Sequence, residues 1–530
     1  MTDLADSLPS FSLESHSGQS YAFPASKPSV VCFVKEDCPT CIEVMPILEA
    51  LYQHISADVD VYVVGQTKAG NQILADRFKP SYPLLDDSSL SVSFASNIDT
   101  VPAFIVCDSE GRIASRLSGF FRDEWKKTIS GLCSSCELSE LQFAWSELPE
   151  WRPGCGSLSV DPIVADRLYA ESTKSPLRAR RIEIAPMDDE FDFMADQSFG
   201  DGLPLVPPTP ERVIRMLSSV SRDPQEVIAV MPPNMGQVTV EKVAVNAVMA
   251  GCKPEFMPVI IAGVEAVCSD EFNIHGVMAT TMGAFPLMVV NGPIRHTLGM
   301  NMKLGALGQG SRPNATIGRA LRLVIRNLGG ARPGGTERST FGSPAKFTMC
   351  FAEWEERNPW SPLHVERGFD AEESVITIFA MTSGPTLIVD QDSRLASQLA
   401  GSLALCLESA FHPKAHFATE AMLVISPEHV DTLVSDGYTK DDIRRRIQEV
   451  TSRSIKQLQV DDVSGVGFKN EYYENLTEKQ RNRLLPKFRS EKDIHITVAG
   501  SEAGKFSAAF HGWAAGAIGS IPVSRKIEEK

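Results

Sequence analysis

Ser29-Val30-Val31-Cys32-Phe33-Val34-Lys35-Glu36-Asp37-Cys38-Pro39-Thr40-Cys41 is the segment from which the rest of this chain is best understood. Residues 29–34 form a short apolar, β-branched run that suits a buried strand. Three charged residues end it, and after Cys41 the apolar residues Ile42, Val44, Met45, Ile47, Leu48 and Leu51 recur at helical spacing. Strand, tight turn, C-x-x-C and helix together put Cys38 at a helix N-terminus, where unpaired backbone N–H groups and the dipole stabilise a thiolate. Cys41, one turn later, is placed to close a disulfide on a reaction partner.

Downstream residues extend the pattern. Pro46 lies five residues after Cys41, Val61–Val64 reads as a second strand, and Thr100-Val101-Pro102 precedes the apolar run 103–106. Residues 108–112 read as a hairpin turn and 113–117 as the returning strand, while residues 8–13 with Gly18 read as a leading hairpin. These features resemble the thioredoxin superfamily, and the opening hairpin resembles its redoxin and TlpA-like branch. The resemblance covers residues 5–131 and implies that Cys38 is the nucleophile, Cys41 the resolving thiol and Cys38–Cys41 a redox-active disulfide, with no other cofactor called for. It also implies that Pro102 lies in a cis-proline loop that faces the dithiol and helps to bind substrate. Three departures stand out: Asp37 replaces the usual tryptophan, Cys32 replaces a buried acid and so removes a proton relay, and Pro39 is the first inner residue of the motif. Glu36 and Asp37 are expected to disfavour the thiolate, opposing the helix terminus. A docking scaffold without redox chemistry, or a zinc site built from two C-x-x-C pairs, would explain fewer of these residues.

With 530 residues, the chain is long enough for about two to four domains. Hydrophobic residues make up 43% and charged residues 22%, which excludes a disordered or fibrous protein. A net charge of −16 argues against nucleic-acid and anionic-membrane partners. No apolar run reaches the roughly 18 residues of a spanning helix. The first twenty residues carry early acids and no apolar core segment, so the chain reads as cytoplasmic, without a signal peptide. Eleven cysteines are too few for a disulfide scaffold. Cys133 and Cys136 form a second C-x-x-C that is placed to relay electrons from the first by thiol–disulfide exchange, and Cys155, between glycines, is a candidate recipient. Exposed cysteines without a role are the bland alternative. The expected organisation is a thioredoxin-like domain over 1–131, a connector over 132–200, and a larger layered α/β domain of one or two lobes over 201–530.

In the last of these, helical and strand patterns alternate. Helices are expected over 211–220, 240–250, 315–328, 393–409 and 441–451. Strands are expected over 227–230, 286–291, 375–379, 386–389, 421–425 and 494–499, with Thr239 as a helix cap and Gly251 as a stop. Asn291, then Gly308, Gly310 and Asn314 before a helix bearing Arg319, suit binding of an anionic group. Gly500, Ser501, Gly504 and Lys505 imitate a phosphate loop, but the spacing excludes ATP hydrolysis and leaves only a backbone anion nest. Glu353, His364 and Arg367 bring carboxylate, imidazole and guanidinium near one another in sequence, a set suited to general acid–base work if they converge. His275 with Thr280 and Thr281 is a weaker candidate, and His412 with His416 a weak metal pair, so no metal is assigned. The Asp201-Gly202-Leu203-Pro204 entry and Asn291-Gly292-Pro293-Ile294 are similar to segments of uncharacterised bacterial proteins that sometimes occur beside selenocysteine-containing proteins, which implies a loose link to redox or sulfur metabolism. The reading is a thiol-dependent redox enzyme whose dithiol serves a large domain acting on a small, anionic or sulfur-containing substrate, with a cellular thiol reductant or partner protein. A lyase or hydrolase in the large domain, with the dithiol maintaining a cysteine such as Cys155, and a redox-sensing binding protein are the alternatives. The sequence does not set the oligomeric state.

Overall fold

The computed structural model describes residues 7–172, 174–185 and 187–529. The chain divides into two compact units, Met1–Ile182 and Glu183–Lys530, both of mixed α/β structure. The boundary falls inside the stretch read as a connector.

The first unit contains, in order, β1 (Phe11–Glu14), β2 (Ser20–Phe23), β3 (Ser29–Val34), α1 (Pro39–Ile55), β4 (Asp60–Gly65), α2 (Lys68–Phe78), β5 (Leu84–Asp86), α3 (Ser91–Ala95), β6 (Thr100–Val101), β7 (Ala103–Cys107), β8 (Ile113–Ser118), β9 (Phe120–Phe121), α4 (Arg122–Ser135), β10 (Trp151–Arg152), β11 (Cys155–Gly156) and α5 (Pro162–Ser172). Its five-stranded sheet has the order β5-β4-β3-β7-β8, with β3 parallel to β4 and antiparallel to β7. Every residue of β3 is buried, which explains an apolar run without alternation: the strand is central and covered on both faces. Helix α1 lays Val44, Ile47, Leu48, Leu51 and Ile55 into the core. Each such side chain is worth roughly 1.5–3 kcal/mol, so packing holds the helix although Pro46 removes an N–H from its interior.

The segment after α4 is ordered by pairing. β10 pairs with β9 (Trp151 opposite Phe121) and β11 with β6 (Cys155 opposite Val101). Residues 151–159 therefore run as a strap over the loop that joins β6 to β7. Gly154 permits this closeness: a Cβ there would lie 2.3 Å from Thr100 Cγ2 and 2.7 Å from the Val101 carbonyl oxygen.

The second unit is built on a seven-stranded sheet. Its path runs through Cys350–Ala352, Phe285–Asn291, Val375–Val389, Phe506–Ala514, Thr419–Ile425 and Ile494–Val498, and Val523–Lys526 pairs with Val375–Val389. In Thr419–Ile425, Met422 and Val424 enter a core with Phe285, Leu287, Phe351 and Phe510, while Leu423 and Ile425 enter another with Leu399, Leu403 and Ile496. That period-two alternation between two cores makes the strand apolar throughout. Thr239 caps Val240–Ala250 by accepting from the Lys242 amide, and Gly251 ends that helix at φ +85°, as expected. Two expectations change, and one helix is added. The runs 375–379 and 386–389 are one fifteen-residue strand with register shifts after Met381 and Ser383. Met257–Val267 is a helix that carries no period because it is buried nearly all round. Residues 494–499 are not the last strand: Phe506–Ala514, rich in alanine and glycine with low β-propensity, is paired on both sides deep in the sheet.

Candidate active site: a three-cysteine centre

β3 ends at Val34, a charged turn follows, and Cys38 becomes the N-cap of α1 with Pro39 at the first helical position. Its Sγ accepts from the Cys41 amide at 3.4 Å and, as a thiol, reaches the Val101 carbonyl oxygen at 3.6 Å. Val101 precedes Pro102 through a cis peptide bond, and it is the Val101 carbonyl contact that sets this loop against Cys38. Cys155, opposite Val101 across the β6–β11 pair, brings a third sulfur to the same place.

The three thiols have different proton affinities. The Cys38 pKa is lowered to about 5, mainly by a hydrogen bond from the Cys41 thiol. Burial opposes that shift, while the Cys155 thiol and the amides of Cys41 and Thr40 assist it. Burial first, and then the neighbouring Cys38 thiolate, keeps Cys41 protonated. Cys155 is pushed up to about 11, first by its bond to Cys38 and then by burial. The centre is one thiolate held by two thiol donors.

Glu36 and Asp37 do not act on Cys38 as expected. Glu36 accepts from Thr67 Oγ1 at 3.2 Å, and Asp37 pairs with Lys35 at 3.2 Å. Hydrogen bonds outweigh these charges: the leading influences on Cys38 are the Cys41 thiol, burial, the Cys155 thiol and the amides of Cys41 and Thr40. Cys32 is fully buried and its thiol is pushed up by desolvation, so no proton relay runs through it.

The strap is fixed at several points. Thr40 Oγ1 donates to the Pro153 carbonyl at 2.6 Å, Arg152 pairs with Glu43 at 2.8 Å, and Lys35 Nζ donates to the Gly156 carbonyl at 3.3 Å. Buried Gln66 bonds Ser157 Oγ at 2.6 Å and accepts from the Leu158 amide at 3.0 Å. Gln66, Thr40 and Lys35 escaped the sequence reading, because nothing in the letters couples residues 91 to 121 positions apart.

The structure does not bring Cys133 and Cys136 to this centre. They lie at the C-terminal end of α4, and His54 Nε2, in the last turn of α1, is 2.7 Å from the carbonyl oxygen of Ser139 just beyond them. Cys38 is at the opposite end of that seventeen-residue helix, about 25 Å away at 1.5 Å per residue. The expected relay and a four-thiolate zinc site both lack the required approach.

In the second unit, Glu353, His364 and Arg367 do not converge. Glu353 is fully buried, and burial raises its pKa. Its carboxylate accepts from Asn291 Nδ2 (2.7 Å), Asn358 Nδ2 (2.9 Å) and the Leu363 amide (2.8 Å). Arg367 points elsewhere, donating to the Pro522 carbonyl at 2.7 Å and to Ser524 Oγ at 2.5 Å. His364 Nδ1 stands 3.9 Å from Glu355. What the fold assembles is Asn291, Arg295, Glu353, Glu355 and His364. Arg295 is almost wholly buried and bridges the Glu353 carbonyl (2.7 Å) and the Glu355 carboxylate (2.9 Å). Against burial, bonds from Arg295 and His296 hold Glu356 down to about 2. Beside this cluster lies a cleft of about 500 Å³ lined by His296, Met302, Lys303, Trp354, Glu356 and Arg357.

The glycine-rich candidates are spent on the fold. Asn314 pins its own loop, accepting from the Asn301 amide at 3.0 Å and from Ser311 at 2.8 Å, and Gly308 closes a turn onto Gly305. Gly310 takes φ +106° in the same loop. Arg319 is bidentate to Asp201 at 2.8 Å. The anion nest fails: the Gly500 amide bonds the Met302 carbonyl, and the Gly504 amide bonds Glu428 Oε2 at 2.7 Å, a carboxylate that would repel an anion. Ser501 accepts from Ala503, and Lys505 lies near His429. His275 is exposed, Thr280 accepts from Trp513, and Thr281 bonds Thr340 through its backbone. His412 and His416 sit in a loop rather than on a helix, bonded to the Lys414 amide and the Pro486 carbonyl. Among the described residues no group of His, Cys, Asp or Glu is arranged to hold a metal, and no helix is long and apolar enough to cross a membrane.

No curated protein matches the chain. Among solved structures, StoA from Bacillus subtilis is similar at 21% identity, covering 23% of this chain and 98% of that one, with a TM-score of 0.21. A secreted Mycobacterium tuberculosis disulfide oxidoreductase homologous to E. coli DsbE is similar at 18% identity, covering 23% and 95%, also with a TM-score of 0.21. The Redoxin family model matches residues 4–129. The N-terminal part of this chain is therefore a thioredoxin-superfamily domain of the Redoxin family.

Proposed function

We propose that the protein is a thiol–disulfide oxidoreductase in which Cys38 attacks and Cys41 resolves, and that this dithiol serves a large domain handling a small, anionic or sulfur-containing substrate. The observation that carries the reading is Cys38 as the N-cap of α1, its sulfur accepting from the Cys41 amide at 3.4 Å, an arrangement that lowers its pKa. The Cys38 thiolate attacks one sulfur of a disulfide, forms a mixed disulfide and expels the other sulfur as thiolate. Cys41 then loses its proton and attacks Cys38, closing Cys38–Cys41 and releasing the second thiolate. The substrate disulfide gains the two electrons that the dithiol loses. A cellular thiol resets the pair, which fits a reducing compartment such as the cytoplasm. In the large unit, the cleft beside Arg295 and Glu356, with Lys303, His296 and Arg357 on its walls, is the place proposed for the small substrate.

Trapping tests this. Cys41→Ser combined with Cys155→Ser, which leaves no second thiol beside Cys38, should accumulate a mixed disulfide on Cys38, identified by mass spectrometry, and Cys38→Ser should abolish exchange. Full exchange activity in Cys38→Ser would refute the assignment.

A further inference from the structure

Cys38 and Cys41 are both fully buried, whereas Cys155 is partly exposed. In the resting fold the strap covers the dithiol, and Cys155 is the residue of the three that a small outside molecule meets first. We propose that Cys155 is the outward sulfur of a three-thiol exchange centre, taking the disulfide from Cys38 and passing it to small external thiols.

Three observations place it there. Cys155 is in register with Val101, and Val101 offers its carbonyl to Cys38, so both sulfurs sit over the residue before Pro102. The strap that carries it is held on both sides of the cysteine, by Thr40 and Arg152–Glu43 before it and by Lys35, Gln66 and Ser159 to the Ile98 carbonyl (2.9 Å) after it. Gly154 lets the backbone come close enough, where any side chain would meet the Val101 carbonyl. Closely packed backbone on a paired edge holds Cys155 against Cys38 in the folded state, a standing high local concentration of thiol.

The chemistry balances without an added oxidant. In the oxidised domain the Cys155 thiol loses its proton and its sulfur attacks Cys38. The Cys38–Cys41 bond breaks, and Cys41 leaves and takes up a proton, so one disulfide replaces another. An external thiolate then attacks Cys155, forms a mixed disulfide there and expels Cys38 as its stabilised thiolate, the best leaving group of the three. A second external thiol releases Cys155 and completes a two-electron reduction of the centre. When Cys38 is in a disulfide, the thiolate that chiefly holds Cys155 protonated is gone, so Cys155 is more nucleophilic in the state that uses it.

This inference rests on the Cys38–Cys41 dithiol reading, and the test separates the two. Full-length Cys41→Ser protein, oxidised with one equivalent of diamide and mapped by mass spectrometry, should contain a Cys38–Cys155 disulfide. Oxidised wild type and Cys155→Ser, both carrying Cys38–Cys41, are then reduced with glutathione. The variant should be slower by about tenfold or more, because an internal thiol at high effective concentration is lost. If the strap is only a cover, the same substitution loosens it and reduction becomes equal or faster, which overturns the proposal, as does a Cys41→Ser map without a Cys38–Cys155 link. Failure of wild type to form Cys38–Cys41 at all would remove the dithiol reading as well. An unchanged rate with that disulfide present removes only Cys155.

Discussion

At the scale of single residues, this site works by sharing two thiol protons among three sulfurs. The bond from Cys41 is the largest influence on Cys38, so Cys41→Ala should raise the Cys38 pKa from about 5 toward the ordinary thiol value, followed by thiolate absorbance against pH. The same shift links to stability. The folded pKa lies below that of the unfolded thiol, so the contribution is full above the unfolded value, shrinks as pH falls, and is gone below about 5. The denaturation midpoint of the reduced protein should therefore pull ahead of that of Cys38→Ser as pH rises from about 5 to 9, and a constant gap would contradict the shift. In the second unit, Glu353→Gln sets an amide N–H against donors from Asn291, Asn358 or Leu363. It should lower stability by about 1–3 kcal/mol while leaving glutathione reduction of the dithiol unchanged. Thermal denaturation and exchange rates measured on the same protein check both halves.

At the scale of elements, α1 and the strap hold the sulfurs in place. Leu48 is fully buried beneath α1, and Leu48→Ala should cost about 2–5 kcal/mol in denaturant unfolding. Gly154→Ala would press a methyl group into the Thr100 side chain and the Val101 carbonyl. Because backbone yields less than a side chain tip, the strap should lift there, at a cost of about 1–3 kcal/mol. Limited proteolysis should then cut residues 151–160 first. A wild-type digestion pattern in that variant would mean that the strap tolerates the added carbon.

At the scale of the molecule, the first unit has its own sheet and core, and the strap belongs to it through β10 and β11. A fragment ending at 182 should fold and form Cys38–Cys41, whereas one ending at 131 lacks the strap and should alkylate at Cys38 faster, as mass-resolved alkylation kinetics will show. Much of this first unit was legible from the letters, because its signals are local. The β-branched run before Cys38, the helical spacing after Cys41, Pro46, and Val101-Pro102 ahead of an apolar strand each report on their own neighbourhood. The strands and helices of the second unit were legible where an apolar period survives, and illegible at Phe506–Ala514, where burial comes from neighbours instead of from the strand's own composition. Of the acid–base set Glu353, His364 and Arg367, close together in sequence, the fold keeps Glu353 and His364 in one cluster and aims Arg367 away to Pro522 and Ser524, since short helices and turns point neighbouring side chains in different directions. The amino-acid sequence alone determined a dithiol at a helix N-terminus, because four residues and a few hydrogen bonds suffice to build one. Only tertiary structure decided which other cysteine joins it: strand register carries Cys155 across more than a hundred residues to Cys38 and leaves Cys133 and Cys136 at the far end of α1, and register is a property of paired backbones that no single stretch of chain encodes.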